Sequence, residues 1–305
     1  MKIMVTGGVG FIGTNLIKRL LKDGHEVVSL DNYSTGIKEN EQDGCKYIDV
    51  DVSDSSRRHK AFGLETYQLE KPDLIFHIAA LARIQPSMID PVTSIQNNFD
   101  STLNILEWAR GKKCPVVFAG SSSFHKGLWD SPYAWSKFAG EQLCRLYNSV
   151  YDLPTAVCRF YNVYGPHQIL GGDYAAVLGI FERQYKNNES LTITGTGEQR
   201  RDFTHVDDIV DGLIKCGRAL LIPNEFNVGP DEVSGEEFEL GRGVNFSINE
   251  IANMFGEDYP KEYIDARLGE YDTTLCTDDK AKRLLNWNPK KNIDDYIENF
   301  IEKNG

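Results

Sequence analysis

The sequence predicts an α/β fold, a doubly wound parallel sheet with helices on both faces, followed by a smaller α/β C-terminal domain. Two patterns carry this expectation. Strand-length apolar runs at 3–6, 26–30, 46–48, 74–78, 116–119 and 156–160 alternate with helix-like stretches, as in a parallel sheet joined by crossover helices. The runs are also nearly continuous in apolar residues, as strands buried on both faces must be.

The first run leads into Thr6-Gly7-Gly8-Val9-Gly10-Phe11-Ile12-Gly13. This G-x-x-G-x-x-G turn lacks Cβ atoms where backbone must approach a pyrophosphate, and the next helix offers its free N–H groups and positive dipole end. Ile12, Leu16, Ile17, Leu20 and Leu21 fall at helical spacing opposite Lys18, Arg19, Lys22 and Asp23, and Gly24 stops the helix. Asp31 closes the second run, where a carboxylate accepts both ribose hydroxyls of a dinucleotide. It would repel a 2′-phosphate and no Arg follows it, so NAD is expected rather than NADP.

The fifth run ends in Ser121-Ser122-Ser123, at the carboxyl edge of the sheet where open α/β folds bind ligands. Ser131-Pro132-Tyr133-Ala134-Trp135-Ser136-Lys137 then opens a helix expected to reach residue 151. Tyr133 and Lys137 share one helical face, and an ammonium beside a phenol lowers a pKa that otherwise stands near 10. After residue 161 glycine and proline become frequent (Gly165-Pro166, Gly171-Gly172, Gly229-Pro230) and helices shorten, which suits a smaller domain supplying ligand-binding loops. The pieces FNVG at 226–229 and FELG at 238–241 read as accidental similarity, not a repeat.

A chain of 305 residues suggests about two domains, and 41% hydrophobic with 11% aromatic residues suffices for a core. Lys+Arg 33 against Asp+Glu 45 gives a net charge of -12, which excludes nucleic acid and anionic membrane as expected partners. No apolar run reaches the length of a bilayer span, and the opening MKIMVTGGVGFIG lacks a cleavable signal core. The 6 cysteines are scattered without metal-ligand or paired spacing, so no metal site is expected and a reducing cytoplasm is the expected compartment.

Together the glycine turn, the strand-end serines and Y-x-x-x-K resemble the extended short-chain dehydrogenase/reductases, and within them the NAD-dependent nucleotide-sugar epimerases and dehydratases. The resemblance runs along nearly the whole chain. It implies a Rossmann-type domain over 1–165 with 202–225 returning to it, and a nucleotide-sugar domain over 166–201 and 226–305. Cofactor contacts are implied for Gly7, Gly10, Phe11, Ile12, Gly13, Asp31, Asn32, Ser34, Thr35, Gly36, Asp51, Val52, Ile78, Ala79, Ala80, Leu81, Asn98, Tyr133, Lys137 and Tyr161. Arg159-Phe160-Tyr161-Asn162-Val163-Tyr164-Gly165-Pro166 is similar to a segment whose asparagine holds the sugar diphosphate. Arg201 and Arg267 match phosphate-gripping arginines, and Arg83, Ser87, Val177, Thr192 and Thr274 fall at sugar-nucleotide positions.

Counted back from Gly127, the family's catalytic hydroxyl falls on Ser122. Ser123-Phe124 then stand where sugar dehydratases carry an Asp-Glu pair, so elimination of water is not expected. The implied reaction is 4-epimerisation through a transient 4-keto sugar. Tyr133 would act as base, Ser122 and Ser123 would bind the sugar, and Lys137 would hold the cofactor ribose. UDP-glucose and UDP-galactose are the implied substrates, and the small Thr274 side chain suggests room for 2-acetamido sugars. GDP- or dTDP-sugars stay open, as do 3,5-epimerisation, uronate decarboxylation, 4-keto reduction and a non-catalytic NAD-binding role. Two departures stand out. Only ten residues separate Ser122 from Tyr133, fewer than in most relatives, and Ala82 replaces a lysine of the bacterial UDP-galactose 4-epimerase type. The helices near 93–109 and 133–151 match the family's dimer-forming pair, so a homodimer is expected.

Overall fold

The computed structural model describes residues 1–54, 69–125, 127–266 and 271–304. The first half runs β1 (Lys2–Thr6), α1 (Phe11–Lys22), β2 (Glu26–Asp31), β3 (Cys45–Asp49), β4 (Leu74–His77), α2 (Ile84–Ile89), α3 (Pro91–Lys112), β5 (Val116–Ser121), α4 (Pro132–Tyr151) and β6 (Thr155–Phe160). The remainder runs β7 (Asn162–Tyr164), α5 (Val177–Lys186), β8 (Leu191–Thr194), β9 (Arg200–His205), α6 (Val206–Leu221), β10 (Glu237–Leu240), β11 (Asn245–Ser247), α7 (Ile248–Met254), β12 (Lys261–Ile264), α8 (Lys280–Leu285) and α9 (Ile293–Asn304).

Among the described residues seven strands form one parallel sheet in the order β10-β6-β5-β4-β1-β2-β3. Apolar cores cover both faces. Leu16, Ile17 and Leu20 of α1 pack with Ile209, Val210 and Leu213 of α6 on one side. Ile105, Leu106 and Trp108 of α3 pack with Cys144 and Tyr147 of α4 on the other. This is the doubly wound architecture expected, and its winding reverses between β1 and β4, where such sheets open a ligand crevice.

A buried polar chain fixes that switch point. Thr6 pairs with His77 in the β1–β4 register. The Thr6 hydroxyl accepts from Ile78 N and Ala79 N (both 3.1 Å) and so donates to His77 Nδ1 at 2.7 Å. Nε2 of His77 then donates to Thr102 Oγ1 at 3.2 Å. Burial pushes the His77 pKa down to about 3, so the ring stays neutral and this tautomer persists.

The sheet extends further into the C-terminal half than the sequence suggests. β10, which contains the first three residues of the FELG piece, is the edge strand beside β6 and lies within the stretch expected for the second domain. Its two glutamates conceal it from a search for apolar runs. Glu239 is buried there with Arg159 opposite it in register and bound to it. A three-stranded sheet (β11-β9-β7) and a two-stranded one (β12-β8) surround a further core of Tyr164, Phe181, Phe203 and Phe255.

Asp202 of β9 joins these parts. Its fully buried carboxylate accepts from Arg242 N (3.0 Å), Gly243 N (2.9 Å) and Cys276 N (3.0 Å). Asp202→Ala leaves Gly243 N and the buried Cys276 N without an acceptor, while Arg242 N keeps Thr204 Oγ1 at 3.1 Å. At about 1–3 kcal/mol for each unsatisfied group, urea unfolding should show a loss of more than about 2 kcal/mol. A midpoint within error of wild type contradicts this.

Candidate functional site

A cleft of about 460 Å³ runs from the glycine turn across the carboxyl edge of the sheet to the C-terminal half of the chain. At the turn, Gly7 has φ 74°, and a Cβ there would lie 2.9 Å from the Ala79 backbone. A Cβ on Gly13 would lie 2.0 Å from the Gly7 carbonyl oxygen. Only bare backbone fits this cradle, which leaves the start of α1 open to a pyrophosphate. Asp31 is fixed by Val9 N (3.0 Å) and Tyr33 N (2.8 Å), while burial raises its pKa and these N–H groups oppose the rise. Gly10, Phe11, Ile12, Asn32, Ser34, Thr35, Gly36, Asp51, Val52, Ile78, Ala79, Ala80, Leu81 and Tyr161 also line the cleft. These features suit a dinucleotide with an unphosphorylated ribose.

Asn98 is the exception among the expected cofactor residues. It lies behind the cleft wall, where Oδ1 accepts from Leu81 N (2.8 Å) and Nδ2 donates to Leu81 O (3.2 Å) and Ser136 Oγ (3.0 Å). It pins the wall to α3 and α4. Helical rotation brings its neighbour Asn97 into the lining instead.

Ser121, Ser122, Ser123, Tyr133 and Lys137 meet on the cleft surface. Ser131 caps α4 by accepting from Ala134 N (3.1 Å), and Pro132 sits in its first turn, so Tyr133 projects at the helix start. The hydroxyl bonded to the Tyr133 phenol belongs to Ser121, one residue before the expected Ser122. The chain turns into a single 3₁₀ turn at Ser122–Phe124 immediately after β5, which takes Ser122 off the strand line. Ser121 Oγ accepts from Ser123 Oγ (2.8 Å) and Ser123 N (3.3 Å), so its own proton is directed to Tyr133. Burial raises the Tyr133 pKa, and the Ser121 bond and the Arg83 charge oppose it. Burial lowers the Lys137 pKa to about 8 against the pull of Glu141, and its Nζ lies 4.4 Å from the Phe118 ring centroid.

The sugar-nucleotide residues divide. Arg83, Asn162, Val177, Thr192, Arg201 and Thr274 line the cleft. Ser87 does not; its buried Oγ donates to Ile84 O (2.6 Å) and accepts from Tyr133 N (3.2 Å), which fixes the tyrosine's backbone. Thr274 Oγ1 accepts from Asn162 Nδ2 (3.3 Å) and Asp202 N (3.2 Å), so its hydroxyl is engaged by the protein. Arg267 lies outside the described residues. Tyr271 is not among the expected contacts, although it stands three residues before Thr274 and would reverse the pocket-width reading: it lines the cleft and lies on Gly127, where a Cβ would come 2.1 Å from its Cε1. That contact joins the shortened loop to the C-terminal half, and no local pattern announces it.

Comparison with known proteins agrees with this geometry. The model of the NAD dependent epimerase/dehydratase family matches residues 3–229. A UDP-glucose 4-epimerase of Mycolicibacterium smegmatis is 32% identical, with 99% of this chain and 98% of that protein covered. The structure of a UDP-glucose 4-epimerase with UDP-glucose from Thermotoga maritima superposes with a TM-score of 0.85 at 26% identity, covering 99% of this chain and 98% of the other. A UDP-glucuronic acid 4-epimerase from Bacillus cereus, in complex with UDP-glucuronic acid and NAD, gives 0.82 at 26% identity, with 99% of each chain covered. No helix among the described residues is long and apolar enough to cross a membrane.

Gly7→Val forces a branched side chain into the cradle at a positive φ. Protein purified with this change should carry less than about a tenth of the wild-type dinucleotide, measured by chromatography of the ligand released on denaturation, a deficit equal to roughly 1.4 kcal/mol or more of binding. Full retention contradicts the cradle.

Proposed function

Because this chain belongs to the NAD dependent epimerase/dehydratase family, we propose that it is a UDP-sugar 4-epimerase acting through a transient 4-keto sugar. NAD is its cofactor, and when bound it supplies the acceptor that takes a hydride from the sugar and gives it back. The observation that carries the proposal is the convergence of Ser121, Tyr133 and Lys137 at the carboxyl edge of the sheet, with no carboxylate on the Ser122–His125 turn. A phenol and a hydroxyl suffice for reversible oxidation at one carbon, whereas elimination of water needs a further acid and base.

In this reading Tyr133 Oη removes the proton from O4 and later restores it. Ser121 Oγ donates its one proton to the Tyr133 phenol oxygen and so stabilises the phenolate. Lys137 on the same helical face keeps a buried positive charge beside the reacting edge. Arg201 and Asn162 suit the diphosphate, which tethers the keto sugar while it turns its other face. Thr274 and Tyr271 both line the cleft, one small and one bulky, so tolerance of a 2-acetamido group depends on the two together.

One observation favours a second reading. Arg83 donates Nε to Tyr174 O (2.7 Å), and among the described residues it has no acidic partner although it is half-buried near Tyr133. An uncompensated guanidinium suits a sugar carboxylate, and so a UDP-hexuronate that is epimerised or decarboxylated. A panel of UDP-glucose, UDP-N-acetylglucosamine and UDP-glucuronate, with products assigned by NMR, separates these outcomes. Half-exposed Leu146 and Val150 on α4 and exposed Val92 on α3 suit the proposed homodimer, which light scattering would read as twice the 34.4 kDa chain.

Tyr133→Phe should lower kcat by at least about 10²-fold while bound NAD persists. Ser121→Ala should cost about 10-fold or more, and Ser122→Ala no more than about 3-fold. The opposite order for the two serines overturns the assignment of Ser121.

A further inference from the structure

Behind the serine-bearing turn lies a buried chain of charges that the reaction does not use directly. Arg159 of β6 donates Nε (3.1 Å) and Nη2 (2.7 Å) to Glu141 Oε2 of α4, and Nη1 (3.0 Å) to Glu239 Oε1 of β10. All three side chains are buried. The segment after β5 is fastened to this group at three points. Ser121 N donates to Glu141 Oε1 at 3.4 Å. The Arg159 guanidinium carbon lies 3.6 Å from the centroid of the Phe124 ring. His125 Nε2 lies 2.8 Å from Glu239 Oε1.

The Lys137 ammonium also acts on Glu141, but Glu239 has only its share of the Arg159 guanidinium, and a buried carboxylate so placed costs stability unless another cation completes the pairing. We propose that His125 is that cation and a positioning residue. Caught by Glu239, its imidazolium closes the short 121–125 segment onto Arg159 and so holds the Ser121 hydroxyl against Tyr133. The inference rests on the reaction proposed above. It also accounts for how a loop shorter than that of most relatives keeps its serine in place, since the seventh strand, through Glu239, provides the anchor.

The groups facing His125 set the sign of the pH dependence. Glu239 of β10 and, further off, Glu141 of α4 favour the charged ring, while burial and Arg159 of β6 oppose it. Phe124 lies edge-on beside it on the same turn. On the far side of Glu239 stand the Tyr161 phenol and the Cys276 thiol, and Glu237 lies 3.6 Å from Arg159. The net effect raises the His125 pKa above its ordinary 6.5. The catch is therefore complete below about pH 6.5 and is lost as pH rises through the raised value.

The test pairs a titration with kinetics on the NAD-loaded protein. The His125 imidazole, followed by ¹⁵N NMR without substrate, should titrate above 6.5 in wild type and fall back in Glu239→Gln. His125→Gln should keep bound NAD and KM within about 3-fold, lower kcat about 10-fold near pH 6.5, and lose the alkaline fall of the wild-type kcat profile. His125→Lys should recover most of kcat and move that fall to higher pH. The proposal is overturned by an imidazole pKa at or below 6.5. It is equally overturned by a His125→Gln variant with wild-type kcat at every pH, or by one that loses NAD, KM and kcat together. If wild-type protein turns over no UDP-sugar, the proposed reaction fails, while the substrate-free titration still decides whether the charged catch exists.

Discussion

One buried guanidinium ties the reacting edge of the sheet to the far end of the chain. Arg159 sits between Glu141, one helical turn beyond Lys137, and Glu239, on a strand the chain reaches only after β7, β8 and β9. Removing a partner from a buried ion pair costs about 3–5 kcal/mol, because the remaining charge is stranded without solvent. The arrangement therefore couples the parallel edge strand to the segment that carries Ser121. The fold and the site are stabilised by the same contact.

Much of this was legible in the chain. The glycine turn, Asp31 and the six apolar strands announce themselves because each obeys a local rule: a backbone free of Cβ atoms, a carboxylate at a strand end, continuous burial on both faces. What stayed hidden depends on tertiary partners. β10 carries glutamates that are tolerable in a sheet because distant cations pair with them, Arg145 with Glu237 and Arg159 and His125 with Glu239, so its short sequence looks like a loop. Ser87 and Asn98 are polar, near the site and suggestive, yet both spend their hydrogen bonds on holding backbone, of Tyr133 and Leu81 respectively. Counting back from Gly127 selects Ser122 because it assumes an ordinary loop, and the shortened loop with its 3₁₀ turn moves the pairing to Ser121.

The C-terminal half of the chain lines the cleft with a second group of side chains. Asp202 gathers three backbone N–H groups from two loops, and beside it Asn162, Arg201 and Thr274 line the cleft. Tyr271 reaches across to the bare Gly127 and fills space beside the shortened loop. Arg83 brings a half-buried positive charge to the phenol from the opposite wall. Substrate choice thus resides in side chains contributed by separate parts of the fold, which explains why family membership alone leaves it open.

The central claim is that a hydride leaves C4 of a UDP-sugar and returns to the same carbon without meeting solvent. It is tested most directly by incubating the NAD-loaded protein with UDP-glucose carrying deuterium at C4 and following the sugar by NMR and mass spectrometry. Retention of deuterium at C4 in the epimerised product is the predicted result, since the closed cycle exchanges nothing with water. Epimerised product with protium at C4, or no epimerised product from any UDP-sugar, would contradict it.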